Sequence, residues 1–245
     1  MKNLLIASIV LANASSAFTQ GTVIFNLRMS GTSHVYAPHT PDLGQVGQGS
    51  NDGVPSGTTD WSGWTAIGAN GLTGQYGAQS TFISILGGPA GAAESSLIPG
   101  ALGTTLGGGT ATTFRTGVAA GANAAATATF SNIAPDAGVA NFEVVAWDNF
   151  SGQYSTWSLA TAAWQVGLIA LGRSGLFSLH QIGGSVNTAP PLFPTSTSTD
   201  TVAMQSFGLC FDCIPEPSVA TLAALGTGTL NLLCRRRRRS KRPAL

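Results

Sequence analysis

The C-terminal residues 215–245 constrain the fold most, because they combine features that a water-soluble domain does not need. Pro215, Glu216 and Pro217 are followed by seventeen uncharged residues, 218–234, and then by five consecutive arginines. A helix over 218–234 would be about 25 Å long, just enough to cross the hydrocarbon core of a thin bilayer. The arginines would stay on the cytoplasmic side, since cationic clusters beside a span resist translocation. The sequence therefore predicts a transmembrane helix separate from the folded body.

This order of parts resembles the PEP-CTERM sorting segment of exported proteins in Gram-negative bacteria. The tripeptide Pro215, Glu216 and Pro217 matches, and so does the apolar stretch after it. The basic run that matches consists of Arg235, Arg236, Arg237, Arg238 and Arg239. The resemblance implies processing by an exosortase in the inner membrane, with cleavage near the tripeptide and then release or attachment outside the cell. The chain departs from the usual pattern in the polar residues of the span and in the tail 240–245.

Two other interpretations of this segment fit less well. A plain tail anchor would need no Pro-Glu-Pro tripeptide, and a nucleic-acid-binding arm would need no apolar stretch before its arginines. No Leu-Pro-x-Thr-Gly motif occurs, which excludes a cell-wall sortase signal.

The N-terminal end has the pattern of a secretory signal peptide. Lys2 provides a positive charge, and residues 4–12 form an apolar core. Cleavage after Ala17 leaves small side chains at the required positions, and cleavage after Thr19 is the alternative. We therefore expect passage through the Sec translocon. The predicted organisation is a signal peptide over 1–17, an exported domain over 18–213 and a sorting segment over 214–245.

The charge of the whole chain differs from that of its body. The chain holds 11 basic and 10 acidic side chains, a formal net charge of +1. Eight of the basic residues lie in the terminal segments, so residues 18–214 have three arginines against nine acids, a net charge of −6. Nucleic-acid binding is therefore disfavoured, because phosphate recognition needs clustered cations. An acidic body rich in Thr, Ser and Gly suits an extracellular polymer matrix.

The composition of the body predicts a mainly β fold. Short runs rich in β-branched residues are separated by Gly, Pro and Asn, which favours an antiparallel β-sandwich of the jelly-roll or Ig-like kind. Residues 38–70, rich in Gly and Pro, are predicted to be an irregular excursion. The predicted strands are 22–28, 81–86, 110–115, 124–130, 141–147, 175–180 and 202–211.

One strand and one helix are predicted in more detail. In the strand 141–147, apolar residues on one face oppose Glu143, Val145 and Trp147, which suits a strand covered on one side only. A single short helix is predicted over 156–167, after a cap at Ser155 or Thr156. It is indicated by the helical spacing of Trp157, Ala160, Trp164 and Leu168.

Several phrases of the body resemble a group of PEP-CTERM proteins of the Verrucomicrobia type. They are Gln-Gly-Thr-Val at 20–23, Gly-Pro-Ala-Gly through Ser-Ser-Leu at 88–97, Phe-Arg-Thr-Gly at 114–117 and Val-x-Ala-Trp-Asp at 144–148. The resemblance implies an exported β-rich protein, and it names no substrate.

The histidines and cysteines give little sign of chemistry. We interpret His34, His39 and His180 as surface or turn residues, since no zinc, nucleophile-elbow or P-loop motif occurs in the sequence. Cys210 and Cys213 lie just before the tripeptide, and the second cysteine pair that a structural zinc site would need is missing. They form either a local disulfide, which an oxidising periplasm would permit, or two inert thiols.

The carboxylates are compatible with glycoside hydrolysis or with calcium binding, but their pattern favours neither. Glu143 and Asp148, with Asp136 nearby, would suit glycoside hydrolysis, although roles in a turn and at a strand end are simpler. Asp52, Asp60 or Asp148 could bind calcium, but the spacing of a known calcium loop is lacking. We therefore expect no enzymatic activity, no cofactor and no metal.

Two functional hypotheses remain. The first is an exported, exosortase-processed protein, transiently anchored in the membrane and then at the cell surface or outside, where it is structural or associated with extracellular polysaccharide. The alternative is a secreted carbohydrate-binding or glycoside-active β-sandwich protein. A binding module would place Trp61 and Trp64, exposed, on one platform, whereas burial of both would argue against it.

Overall fold

The computed structural model describes residues 20–29, 32–40, 44–53, 56–69, 72–103, 109–193, 204–211 and 213. The predicted signal peptide, the tripeptide, the predicted membrane span and the arginine run lie outside these residues. The chain divides into two compact units, Met1–Asp212 and Cys213–Leu245. Of the second unit only Cys213 is described, and the fold below is that of the first. No helix within the described ranges is long and apolar enough to cross a membrane.

The first unit is mainly β with a single short helix among its described residues, as the sequence predicts. The helix, α1 (Trp157–Gln165), lies between the eighth and ninth strands, and short 3-10 turns occupy Glu94–Ser96 and Gly117–Ala119. The strands are β1 (Gly21–Phe25), β2 (Val35–Tyr36), β3 (Thr81–Pro89), β4 (Ile98–Pro99), β5 (Ala101–Leu102), β6 (Thr112–Thr113), β7 (Ala126–Phe130), β8 (Val139–Asp148), β9 (Leu171–Arg173), β10 (Phe177–His180) and β11 (Phe207–Gly208).

Most of these strands belong to two antiparallel sheets. The larger has the order β10-β8-β3-β4, with β6 also paired to β3 and β9 to β8. Its longest pairing joins β3 and β8, from Thr81 opposite Asp148 to Pro89 opposite Ala140. The smaller sheet has the order β1-β7-β5, and β2 and β11 form a separate parallel pair.

The main hydrophobic core draws side chains from both sheets. Val23 and Phe25 of β1, and Phe142 and Val144 of β8, are fully buried in it. The rings of Phe130 and Phe142 meet edge to face, with centroids 5.3 Å apart. Because burying one such side chain contributes about 1.5–3 kcal/mol, this core is a principal source of stability.

The prediction that β8 is covered on one side only is wrong. Val145 and Trp147, on the face opposite Phe142, are fully buried in a second cluster. Ala160 and Ala163 of α1 cover them. β8 is therefore a central strand with apolar neighbours on both faces, which explains why nine of its ten residues are buried.

Helix α1 is close to the predicted helix at both ends. Thr156 caps it, since its Oγ1 accepts a hydrogen bond from the Leu159 amide at 3.4 Å. Leu168, however, does not belong to the buried face and is 63 % exposed. The helix ends at Gln165, and Gly167 turns the chain away with a φ of 71°.

The long strands match the sequence pattern better than the short ones. β1, β3, β7, β8 and β10 overlap predicted strands, whereas the predicted strands 110–115 and 202–211 are reduced to the two-residue β6 and β11. The pattern does not predict β2, β4, β5 and β9, because two or three residues are too few to show alternation.

Candidate functional site

An open pocket with a volume of about 540 Å³ is lined by aromatic and polar side chains. Tyr36 lies on β2, and Trp61 and Trp64 lie in the loop region that the sequence predicts to be irregular. We call this the aromatic pocket. Its polar lining includes Asn51, Asp52, Thr58, Thr59, Asp60 and Ser62.

The three aromatic rings form a corner. Tyr36 stacks on Trp61, with centroids 4.3 Å apart and planes 13° apart. Trp64 meets Trp61 edge to face at 5.1 Å and 80°. Such ring pairs contribute about 0.5–1.5 kcal/mol each beyond the area they bury, so they hold the corner rigid. Both indoles are half-buried, so the structure brings the two predicted tryptophans together at right angles and not on one flat platform.

Two glycines make room for the indoles. A Cβ at Gly208 of β11 would lie 2.2 Å from Cζ3 of Trp64. A Cβ at Gly49 would lie 2.6 Å from Cδ1 of Trp61. The Trp61 indole N–H also donates to the Gly47 carbonyl at 3.1 Å. The positions of both tryptophans are therefore fixed by close backbone contacts.

A buried polar network supports the loop beside the pocket. His34 Nδ1 lies 2.7 Å from Asp52 Oδ1. The other carboxylate oxygen of Asp52 accepts from the Gly49 amide at 2.6 Å and from Ser206 Oγ at 2.9 Å. Ser206 Oγ in turn accepts from the His34 amide at 2.8 Å.

This network is not a nucleophilic triad. Asp52 lies between the histidine and the serine, whereas in a triad the histidine lies between the other two. Ser206 is fully buried, and the Asp52 side chain is 1 % exposed, so neither group is open to a substrate. The network also encloses the Asp52 carboxylate, so the structure gives no support to the calcium role that the sequence left open.

The electrostatic character of the pocket is acidic. Asp60 is exposed, and hydrogen bonds from Ser62, chiefly from its backbone amide at 2.8 Å, lower the pKa of Asp60. Burial, and then the negative charge of Asp52, raises the pKa of Tyr36, so the phenol stays protonated. None of the described lining residues is Lys or Arg.

The structure does not bring the predicted hydrolytic carboxylates together. Glu143 and Asp148 are five residues apart on one strand, so their side chains lie on opposite faces and roughly 16 Å apart along it. Glycosidase carboxylates lie about 5–9.5 Å apart. Asp148 accepts hydrogen bonds from Gln75 Nε2 at 2.7 Å and from the Phe150 amide at 2.8 Å, which fits a role at the strand end.

The Glu143 carboxylate is instead enclosed in the fold and is not accessible to a substrate. It is fully buried, and neither of its oxygens accepts a hydrogen bond among the described residues. Arg173 Nη2 lies 3.5 Å from it, but the same guanidinium contacts Glu94 and lies 5.3 Å above the Trp157 ring. Burial raises the pKa of Glu143 to about 7.

Asp136 joins two segments of backbone. Its carboxylate accepts from the amides of Asn187 at 2.6 Å and Val186 at 3.0 Å, and from the Ser185 hydroxyl at 2.8 Å. These bonds, the Asn187 bond first, lower the pKa of Asp136 to about 2. Its role is structural.

The remaining predicted positions are His39, His180, Cys210 and Cys213. His39 packs beside Trp64, with ring centroids 5.1 Å apart, while His180 ends β10. Cys210 and Cys213 are each disulfide-bonded. No group of three or more His, Cys, Asp or Glu side chains within the described ranges could hold a metal ion.

No protein-family model, curated protein or solved structure matches the chain. Of the residues that build the aromatic pocket, sequence reasoning identified Trp61 and Trp64 and missed Tyr36, Gly208 and Ser206. Tyr36 lies in a two-residue strand, and the other two lie more than 140 positions away along the chain. No local pattern could have joined them.

Proposed function

We propose that the chain is an exported surface or matrix protein whose body binds polysaccharide through the aromatic pocket. The observation that carries this proposal is the corner of Tyr36, Trp61 and Trp64 in an open pocket beside hydroxyl, amide and carboxylate groups. Sugars combine apolar C–H faces with hydroxyl groups. Sites with aromatic walls and a few placed polar groups match that chemistry.

Tyr36 adds a hydrogen-bonding group to this wall. Its phenol stays protonated, because burial and then the charge of Asp52 raise its pKa. A ring that both stacks and donates a hydrogen bond suits a ligand with one apolar and one wet side. A sugar ring is such a ligand.

We propose binding and not turnover. Glu143 and Asp148, the carboxylates that suggested hydrolysis, lie on opposite faces of β8, and Glu143 is fully buried. Asp52, one of the two acids that line the pocket, is committed to His34 and Ser206. The pocket therefore offers contact surface without a pair of reacting groups.

Delivery of this body is the second part of the proposal, and the two terminal segments support it. Residues 1–17 would direct the chain through the Sec translocon, and residues 214–245 would hold it in the inner membrane until an exosortase acts near Pro215, Glu216 and Pro217. The mature protein would then lie at the cell surface or outside. The net charge of −6 over residues 18–214 suits such a polymer-rich setting.

We also propose that the body is an antiparallel β-sandwich of the jelly-roll or Ig-like kind. Its support is the shared core, to which β1 and β7 of the smaller sheet and β3, β8 and β10 of the larger sheet all contribute buried side chains. Two sheets that face one core are the defining arrangement of a sandwich.

Glycan titration tests the binding proposal. The full-length chain, kept in a detergent without a sugar headgroup, is titrated with a panel of oligosaccharides while tryptophan fluorescence is recorded. We expect Trp61→Ala to weaken the binding seen with the wild-type chain at least tenfold, since truncating a central aromatic contact costs about 2 kcal/mol or more.

Trp164→Ala is the matched control, because Trp164 is also half-buried but belongs to α1 and does not line the pocket. It should bind like the wild type. Absence of binding to every glycan, or equal losses in the two variants, would overturn the proposal.

A further inference from the structure

We infer that the aromatic pocket selects glycans that carry cationic amino groups, such as glucosamine oligomers, over glycans built from uronic acids. This inference rests on the proposed function and deepens it by naming the class of sugar. Its basis is the charge of the pocket together with the arrangement of its rings.

The charge of the lining has one sign. Asp52 and Asp60 line the pocket, and none of the described lining residues is Lys or Arg. Asp60 is exposed to solvent beside Trp61, so its charge is available to a ligand and is partly screened by salt. Asp52 is enclosed, but its negative charge still reaches Tyr36.

The rings supply a second attraction for a cation. Trp61 and Trp64 stand at 80° to each other, and both are half-buried and line the pocket, so part of each indole is open to a bound group. A cation within about 6 Å of an indole face is attracted by about 0.5–1 kcal/mol at an exposed site. An ammonium group would gain both this attraction and that of the Asp60 carboxylate.

A uronic acid would gain neither. Its carboxylate would approach Asp60 with like charge, and the arginines of the body stand elsewhere. Arg173 is held by Glu94 and Glu143, and Arg28 donates through Nη1 to the Val118 carbonyl at 2.5 Å. None of the three arginines of the body, Arg28, Arg115 and Arg173, lines the pocket.

The experiment compares three tetrasaccharides on the full-length chain: glucosamine, N-acetylglucosamine and galacturonic acid. At mildly acidic pH the sugar amines are protonated while Asp60 stays ionised. We expect the glucosamine oligomer to bind about three- to tenfold more tightly than its acetylated counterpart, from one exposed ion pair and one cation–π contact. The galacturonate oligomer should bind most weakly, and added salt should reduce the preference.

Asp60→Asn tests the source of the preference. It should bring the ratio of the glucosamine and N-acetylglucosamine affinities down severalfold. Glu94→Gln is the matched control, because it removes one negative charge from an exposed side chain that does not line the pocket. It should keep the ratio of the wild type.

The outcomes separate this inference from the proposed function. Equal affinity for glucosamine and N-acetylglucosamine, with binding still lost in Trp61→Ala, overturns the charge selectivity and leaves polysaccharide binding in place. Tightest binding of the galacturonate oligomer does the same. Failure of all three sugars to bind, together with failure of the wider panel, overturns both.

Discussion

Glu143 is a single buried side chain whose carboxyl group makes the free energy of unfolding depend on pH. Its ordinary pKa of 4.5 is raised to about 7 by burial. Below about pH 4.5 the carboxyl group is protonated in both the folded and the unfolded chain. Between these values the unfolded chain loses the proton first, so the free energy of unfolding falls as the pH rises. Above about pH 7 this loss is complete and amounts to about 3 kcal/mol.

Glu143→Gln should remove this pH dependence, because glutamine fills the same space without a charge. Urea unfolding at several values between about pH 4 and pH 8 measures the free energy of unfolding. We expect the variant to be the more stable chain above pH 7, by about 1–3 kcal/mol, and to have a flatter profile. Asp60→Asn is the control, since Asp60 is exposed and is not an ion-pair partner of Arg173, so the fall in stability should remain. A slope unchanged in Glu143→Gln would contradict the explanation.

The pairing of β2 with β11 holds the aromatic pocket together. Gly208 of β11 pairs with Tyr36 of β2, and Trp64 lies against Gly208. Gly208→Ala would place a methyl group 2.2 Å from the indole, so Trp64 must move. We expect a loss of about 1–3 kcal/mol in unfolding free energy, together with weaker glycan binding. Thermal unfolding and the glycan titration measure the two effects.

Gly138→Ala is the matched control for this substitution. Gly138 has no heavy atom within 4 Å of a built Cβ, and it lies outside the pocket. Its substitution should change stability by less than about 0.5 kcal/mol and leave binding intact. Tight binding by Gly208→Ala would show that the position of Trp64 does not matter to the ligand.

The sequence predicts the long strands and the start of the helix better than it predicts how they pack. β8 and β3 are long enough for an apolar pattern to mark them, and Thr156 marks the start of α1 through its cap. The pattern of β8 alone cannot show that α1 covers its second face, since that depends on packing between distant segments. Glu143 was therefore expected at a strand surface and lies buried.

At the scale of the whole molecule, the aromatic pocket depends on contacts between distant parts of the chain. His34 and Ser206 are 172 positions apart and share a hydrogen bond. Gly208 packs against the indole of Trp64, which lies 144 positions earlier in the chain. The two tryptophans are visible in the sequence, but their partners become neighbours only after the chain folds. The acidity of the body, in contrast, follows from composition alone once the terminal segments are set apart.

We expect both terminal segments, residues 1–17 and 214–245, to be processed in a Gram-negative host that makes an exosortase. The mature protein should begin at residue 18, or at residue 20 with the alternative cleavage, and should end near Pro215. Replacing Pro215, Glu216 and Pro217 by alanine should leave residues 218–245 attached, because the tripeptide marks the cleavage region in the sorting segment that this one resembles. Intact-mass analysis of membrane and secreted fractions distinguishes these species. Pro194→Ala, a proline change outside the tripeptide, should be processed as the wild type is, and a full-length mass for the wild-type chain would contradict processing at the tripeptide.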